Sequence, residues 1–207
     1  MTQIIAALFV LENGPYSKLK NIDLWGINRD ARKYKGPFKV IAHPPCMRWG
    51  RYWGGGPMLA KTPNQKILGD DDNCFAHALW AVRAFGGVFE HPEASHAWPW
   101  FGLAKPPRSG GWIKADNYGG MTCCVAQGHY GHKAQKLTWL YACKVKTPKL
   151  KWGLSPNKIL LDQGFHSKKE RAHSTKTEIC QRLSKLQRET TPIKFRNLLI
   201  KIARNEK

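Results

Sequence analysis

The chain has 207 residues, and its 34 Lys and Arg against 14 Asp and Glu give a formal net charge of +20. A hydrophobic content of 42% is enough for the core of one domain. No apolar run reaches the roughly 18 residues that would predict a transmembrane helix. The basic excess favours a polyanionic partner, and DNA in preference to a membrane surface.

The first 36 residues predict one strand and one short helix. The apolar start lacks the basic region of a signal peptide, and residues 4–11 predict a strand instead. Residues 23–34 predict a short helix with Trp25, Ile27 and Ala31 facing inward. Six cysteines without a paired framework or a secretion signal predict reduced thiols and a cytoplasmic protein, of a size and charge typical of microbial or viral proteins.

A buried strand at 38–42 ends at Pro44 and Pro45, which cannot donate to a sheet ladder, so Cys46 is presented at the strand's carboxyl end. In open α/β sheets, ligands and chemistry lie at that edge. The following loop, 47–56, mixes cations, aromatic rings and glycines, which suits a mobile segment closing over phosphates and flat rings. The alternative is a structural cysteine followed by a plain surface loop.

Residues 70–90 are predicted to form a helix followed by a strand. Acidic caps at 70–73 precede apolar residues at helical spacing up to Phe85, and Gly86-Gly87 ends the helix. A strand at 88–89 then delivers Glu90. Because a strand–helix–strand unit places its two strands in parallel, we expect Cys46 and Glu90 to emerge at the same edge of the sheet.

The remainder predicts a long loop at 93–120, two antiparallel strands at 121–126 and 137–143, and a basic connection between them. From residue 144 onward lie 17 of the 34 basic residues and five acidic ones. A final helix is predicted after Thr191-Pro192. The predicted fold class is α/β, with a Rossmann-like mixed, mostly parallel sheet. Residues 1–143 would form the catalytic domain, and 144–207 a basic extension whose last helix packs back on it.

The order of these motifs resembles that of the carbon-5 cytosine DNA methyltransferases. The Pro-Pro-Cys that ends at Cys46 looks like their catalytic Pro-Cys motif, and the Glu-His-Pro that begins at Glu90 resembles their Glu-Asn-Val or Glu-Asn-Pro motif. The basic turn and strand at 131–141 are similar to their Gln-Arg-Arg-x-Arg motif. The agreement in order and spacing covers residues 38–143, about half of the chain.

The resemblance implies a transferase that modifies a cytosine base in DNA. A thiolate of Cys46 would add to the ring and turn the neighbouring carbon into a nucleophile. Glu90 would hold and protonate the ring nitrogen, and Lys133 or Lys136 would position Glu90 or a phosphate. The base must leave the duplex to reach the thiol. The residues expected to contact it are Pro45, Arg48, Trp49, Arg51, Trp53 and His91.

The sequence departs from the family in several respects, and two of them bear directly on the site. No Phe-x-Gly-x-Gly loop, with which the family binds S-adenosylmethionine, precedes Cys46, so the methyl donor stays open. His91 replaces the Asn of the second motif.

Two other classes of function remain. One is a non-catalytic DNA-binding protein that uses its basic tail. The other is a metal-dependent enzyme acting on nucleic acid, with ligands drawn from His43, Cys46, His91, His96, Cys124, His129 and His132.

Overall fold

The core of the fold is one seven-stranded mixed sheet. It is seen in a computed structural model that describes residues 3–55, 59, 61–157, 159 and 183–206. The strands are β1 (Ile5–Leu8), β2 (Ile22–Trp25), β3 (Lys39–Ala42), β4 (Gly87–Pro92), β5 (Ile113–Lys114), β6 (Met121–Ala126) and β7 (Leu137–Cys143). The α-helices in the described residues are α1 (Cys74–Phe85), α2 (Ala97–Trp100), α3 (Lys185–Glu189) and α4 (Ile193–Arg204).

The strand order is β2-β1-β3-β4-β7-β6-β5. The pairs β1–β2, β1–β3 and β3–β4 are parallel, whereas β4–β7, β6–β7 and β5–β6 are antiparallel. The α/β class and the mixed sheet are therefore confirmed, as is the antiparallel pairing of the two late strands. Parallel pairing is confined to the first four strands of the chain, so it makes up half of the sheet rather than most of it.

Both faces of the sheet are covered, which explains why the parallel strands read as continuous apolar runs. Helix α1 packs on one face, where Phe75, Leu79 and Val82 join a cluster with Phe89 and Tyr141. Helix α4 packs on the other face, in a second cluster that includes Ile5, Ile41 and Val88. Side chains of one strand alternate between these two clusters because successive residues point to opposite faces.

The final helix packs on the sheet as predicted. Phe195, Leu199 and Ile202 recur at helical spacing and are buried, while Lys194 and Lys201 lie on the exposed face. The helix begins one residue later than expected, with Pro192 as its N-cap. Most of the predicted basic extension, residues 158 and 160–182, lies outside the described residues.

Two local predictions were wrong. Residues 23–34 form the end of β2 and a 3-10 helix (Ala31–Lys33) rather than one short α-helix, and Ile27 is exposed. The backbone of this stretch is taken up by parallel pairing with β1, which outweighs local helical spacing. The predicted loop at 93–120 contains helix α2 and strand β5.

The topology places a crevice between the carboxyl ends of β1 and β3. The connection from β1 leads to β2 on one side, and the connection from β3 leads to β4 on the other. In open α/β sheets such a switch of direction opens the crevice in which ligands bind. The amide of His43 continues the pairing by donating to Leu8 O at 3.1 Å, so the Pro-Pro-Cys turn begins right at this crevice. Within the part of the chain that is described, no helix is long and apolar enough to cross a membrane.

Candidate active site

Cys46 lies in the turn that follows β3, exposed to solvent. Its carbonyl accepts hydrogen bonds from the amides of Trp49 and Gly50, at 3.0 and 2.8 Å. Pro44 is buried and Pro45 is exposed. The thiol is therefore carried by a hydrogen-bonded turn at the carboxyl edge of the sheet, as predicted.

Glu90 lies on the neighbouring strand and is joined to two further side chains. Nδ1 of His43 lies 3.0 Å from Oε1 of Glu90, and Nε2 of His43 lies 2.9 Å from the hydroxyl of Tyr16. With the Tyr16 hydroxyl donating to Nε2, His43 carries its proton on Nδ1 and donates it to the carboxylate. The three side chains form a relay on the face of the sheet covered by α4, since Ile41 and Val88 of the same alternation lie in that cluster.

The charge state of Glu90 follows from these neighbours. Burial by itself would raise the pKa of Glu90, but the hydrogen bond from His43 and the positive charge of Lys136 outweigh it, and the pKa is lowered. The carboxylate is thus ionised at neutral pH. Burial and the charge of Glu90 raise the pKa of Tyr16, so its hydroxyl keeps its proton and stays a donor.

Lys136, rather than Lys133, is the cation of this site. Lys136 lies directly before β7, and its Nζ donates to the carbonyls of Thr190 and Glu189 at 3.3 and 3.4 Å. Burial lowers the pKa of Lys136, while Glu90 and Cys46 act in the opposite direction. Lys133 is exposed and contacts Asn157 through its carbonyl. The two residues differ because Lys136 is anchored by the segment between α3 and α4.

The thiol of Cys46 responds to both charged neighbours. Although Cys46 is exposed as a residue, the protein atoms around its sulfur and the negative charge of Glu90 raise the pKa of the thiol, and the positive charge of Lys136 partly offsets this. The thiol is protonated at neutral pH in the resting chain. Any reaction through sulfur therefore begins with the loss of this proton.

The loop after Cys46 holds the predicted base contacts in different environments. Arg51 is exposed, whereas Arg48 and Trp53 are half-buried, and Nη1 of Arg48 lies 3.4 Å from the carbonyl of Trp53. These three side chains and Pro45 lie in the turn and loop that follow β3, and their contact with a substrate stays a prediction.

Trp49 is a correction to the predicted contacts. Its ring is only 2% exposed, it packs on Phe75 and Phe101, and its Nε1 donates to Asp71 at 2.7 Å. The ring anchors the loop to α1, because no face of it is left for a base to stack on.

His91 is a second correction. It is fully buried, packs against Phe75 and Trp98, and its Nδ1 lies 2.8 Å from Oγ of Ser95. Successive strand residues point to opposite faces, so His91 points away from Glu90. Burial lowers the pKa of His91 to about 4, and the imidazole is a neutral part of the core rather than a substrate contact.

Three of the residues considered as metal ligands are engaged in other contacts. His43 is held by Tyr16 and Glu90, and Nδ1 of His132 contacts the backbone of Ala134. Cys124 is buried in the cluster under α1. Across residues 3–55, 59, 61–157, 159 and 183–206, no group of three or more His, Cys, Asp or Glu could hold a metal ion.

The carboxyl ends of β1 and β2 are the place where the resemblance implies a nucleoside cofactor. A Cβ placed on Gly26 would lie 2.6 Å from Val10 O and 2.5 Å from Oε1 of Glu12. That carboxylate also accepts from the amide of Asn28 at 3.0 Å. Protein atoms therefore fill the space beside Gly26, and the described residues give S-adenosylmethionine no support there.

Sequence reasoning missed the relay behind Glu90. Tyr16 lies in a loop with no motif around it, so no signal in the sequence singles it out. His43 was noticed only as a metal candidate, although its position directly before Pro44-Pro45-Cys46 ties it to the nucleophile's turn.

Comparisons with protein-family models, with curated proteins and with solved structures found no match to this chain. Function is therefore inferred from the residues of the site and their chemistry.

Proposed function

We propose that this chain modifies a pyrimidine base in DNA, most closely in the manner of the carbon-5 cytosine methyltransferases, with Cys46 as the nucleophile. The observation that carries the proposal is the meeting of three groups at one sheet edge. Cys46 is exposed three residues after His43, and His43 contacts Glu90 of β4 at 3.0 Å. The charges of Glu90 and of Lys136, which lies directly before β7, both act on the pKa of Cys46. A thiol, a carboxylate and an ammonium in one place are the groups that addition to a pyrimidine ring requires.

The first step loses the Cys46 proton to solvent and forms a bond from sulfur to carbon 6 of the ring. The displaced electron pair moves through carbon 5 and carbon 4 to the ring nitrogen, which takes up a proton. Lys136 is the better donor of that proton, because burial lowers its pKa. Glu90 is ionised, so it accepts a hydrogen bond from the base instead of protonating it.

Carbon 5 of the adduct then attacks an electrophilic one-carbon donor, whose leaving group departs with the electron pair of the broken bond, while the ring nitrogen returns its proton to Lys136. Loss of the carbon 5 proton to solvent and expulsion of the thiolate would restore the ring and free the enzyme. The identity of the donor is left to the experiment.

The finer features of the fold belong to the same proposal. A Rossmann-like catalytic part over 1–143 is supported by the parallel strands β2-β1-β3-β4 and by the site at their carboxyl ends. A basic extension over 144–207 is supported by its 17 basic residues, which suit contact with DNA phosphates.

The decisive experiment is intact-mass trapping of the chain on duplex DNA that contains 5-fluorocytosine, with and without S-adenosylmethionine. The expected result is a covalent adduct that Cys46→Ser abolishes. The matched control is Cys74→Ser, which removes a half-buried thiol elsewhere in the chain and should leave the adduct intact. Dependence on the added cofactor would assign a methyltransferase, and independence would assign another donor.

The absence of any adduct would overturn the catalytic proposal. If salt-sensitive DNA binding were retained in that case, the chain would be a non-catalytic DNA-binding protein. Metal analysis of the same sample would separate this outcome from a metal-dependent enzyme.

A further inference from the structure

A second surface, lined by residues outside the candidate active site, combines exposed aromatic rings with positive charge. Two adjoining cavities of about 610 and 470 Å³ lie between α1 and the loop that precedes β6. They share Arg83, Phe101 and Tyr118. Trp80 is 46% exposed and Tyr118 is 70% exposed, although large aromatic side chains usually bury more of their surface. We call this surface the aromatic groove.

Arg83 and Tyr118 place most of the aromatic groove away from the candidate active site along the sheet. Arg83 is in the last turn of α1, which leads to the amino end of β4. Tyr118 precedes β6, whose first residue Met121 pairs with Ala142, and Ala142 pairs with Val88 at the start of β4. Cys46 follows the carboxyl end of β3, so these two side chains lie toward the other end of the strands. The groove comes nearest to the site at Phe101, which packs on Trp49 of the loop after Cys46.

The groove is built around an organised cation. Nη2 of Arg83 donates to Oδ2 of Asp116 at 2.8 Å, and Nε donates to the hydroxyl of Tyr141 at 3.2 Å. The guanidinium lies over the ring of Tyr118, 4.2 Å from its centroid. The opposite face of that ring is open to solvent, as its exposure requires. Arg83 therefore holds Tyr118 as a fixed platform on the surface.

The net positive charge of the side chains that line the groove favours an anionic ligand. Asp116 is the acidic residue among those that line it, and its carboxylate is already used by Arg83, Tyr141 and the amides of Tyr118 and Gly120. Hydrogen bonds from Tyr141 and Arg83 outweigh its burial and lower the pKa of Asp116. Lys114 adds an exposed positive charge. A cationic ligand such as a methylated lysine is disfavoured, because Arg83 and Lys114 outnumber the one carboxylate.

We propose that the aromatic groove binds single-stranded nucleic acid, with bases stacking on Trp80 and Tyr118 and the sugar–phosphate chain passing Arg83 and Lys114. Any base can stack on these rings because every base has a π-face. A positively charged groove binds the sugar–phosphate backbone of the strand. Two cavities side by side, divided by the Arg83–Tyr118 stack, suit consecutive nucleotides of a strand. The net charge of +20 supplies the long-range attraction.

The test measures binding of a fluorescein-labelled single-stranded DNA dodecamer to the full chain by fluorescence anisotropy at fixed salt. Trp80→Ala combined with Tyr118→Ala should weaken binding roughly tenfold or more, given the usual worth of base–aromatic stacking. Trp80→Phe combined with Tyr118→Phe retains both rings and should bind within roughly threefold of wild type. Circular dichroism and thermal melting establish that both double variants are folded.

Four outcomes would overturn the proposal. The alanine variant could bind as the wild type does, or the phenylalanine variant could lose as much as the alanine variant. The alanine variant could lose as much affinity for a duplex of the same length as for the single strand, although paired bases cannot stack on these rings. The mononucleotide dTMP could bind as tightly as the dodecamer, which would assign a nucleotide pocket instead of a strand. The catalytic proposal is tested by covalent trapping at Cys46 and this one by dodecamer anisotropy at Trp80 and Tyr118, so the failure of one is distinct from the failure of the other.

Discussion

Nδ1 of His43 donates to Oε1 of Glu90 across 3.0 Å, joining the residue that precedes the Pro-Pro-Cys turn to the carboxylate of the adjacent strand. The bond holds Glu90 ionised and leaves its second oxygen for another partner. It also connects two motifs that are 47 residues apart in the chain.

The charge of Glu90 should control the reactivity of Cys46. Glu90→Gln removes a negative charge that raises the pKa of Cys46, so more thiolate is present at neutral pH. We expect alkylation of Cys46 by iodoacetamide to become roughly three- to tenfold faster. Peptide mass mapping separates Cys46 from the other cysteines. Glu93→Gln, which removes the partner of Arg108, is the control and should not change the rate. An equal rate in Glu90→Gln would mean that Cys46 does not sense this carboxylate.

Lys136 should act in the opposite direction. Lys136→Met removes the positive charge that favours the thiolate, and the pKa of Cys46 should rise further. Alkylation at neutral pH should slow by roughly three- to tenfold. Lys133→Met deletes a charge of the same type from an exposed position three residues earlier and should leave the rate unchanged. A larger effect at Lys133 would reverse the assignment of the site's cation.

The His43–Glu90 bond should stabilise the fold in a pH-dependent way. Because the pKa of Glu90 is below its usual value of 4.5, the stabilisation is complete above that pH and is lost as the pH falls through the lower, folded-state pKa. His43→Phe should reduce the free energy of unfolding by about 1.5–3 kcal/mol at neutral pH, the usual worth of a hydrogen bond to a charged group.

The same variant should differ less from wild type once the pH has fallen below the folded-state pKa of Glu90, where the carboxylate is protonated. Urea denaturation at both pH values measures the two differences. Tyr16→Phe breaks only the bond to Nε2 of His43 and should cost about 1 kcal/mol. A constant difference between His43→Phe and wild type at all pH values would exclude the ionised pairing.

The side chain of Trp49 should contribute to the free energy of unfolding and should not stack on a base. Its ring fills the space between Phe75 and Phe101, so Trp49→Ala should lower the free energy of unfolding by about 3–5 kcal/mol. Arg51→Ala, at an exposed position in the same loop, should stay within about 0.5 kcal/mol of wild type and weaken DNA binding instead. Guanidinium denaturation and anisotropy on duplex DNA give the two readouts.

Gly87 should tolerate no side chain. A Cβ at this position would lie 1.9 Å from the carbonyl oxygen of Val40, and the residue has φ of +136°. Gly87→Ala must push β4 away from β3 and should abolish folding, measured as loss of cooperative thermal unfolding. Gly111 has φ of +90° with open space around it, so Gly111→Ala should cost only about 1 kcal/mol. A folded Gly87→Ala chain would contradict the close pairing of these strands.

The elements that could be predicted are those whose local pattern and tertiary environment agree. Phe75, Leu79 and Val82 recur at helical spacing, and the α-helix is present with Gly86 as its C-cap. Pro44 and Pro45 end β3 whatever surrounds them, because proline has no backbone N–H to donate to a neighbouring strand. The helix predicted around Trp25 was wrong because pairing with another strand, β1, decided the conformation there.

Sequence alone determined that Cys46 and Glu90 would share an edge, because a strand–helix–strand unit has few ways to fold. It could not determine which cation joins them or which aromatic rings remain free. Lys136 becomes part of the site through carbonyls of Glu189 and Thr190, more than 50 residues away, and Trp49 is withdrawn from it by Asp71. These choices depend on packing between distant segments, and only the tertiary structure brings those segments together.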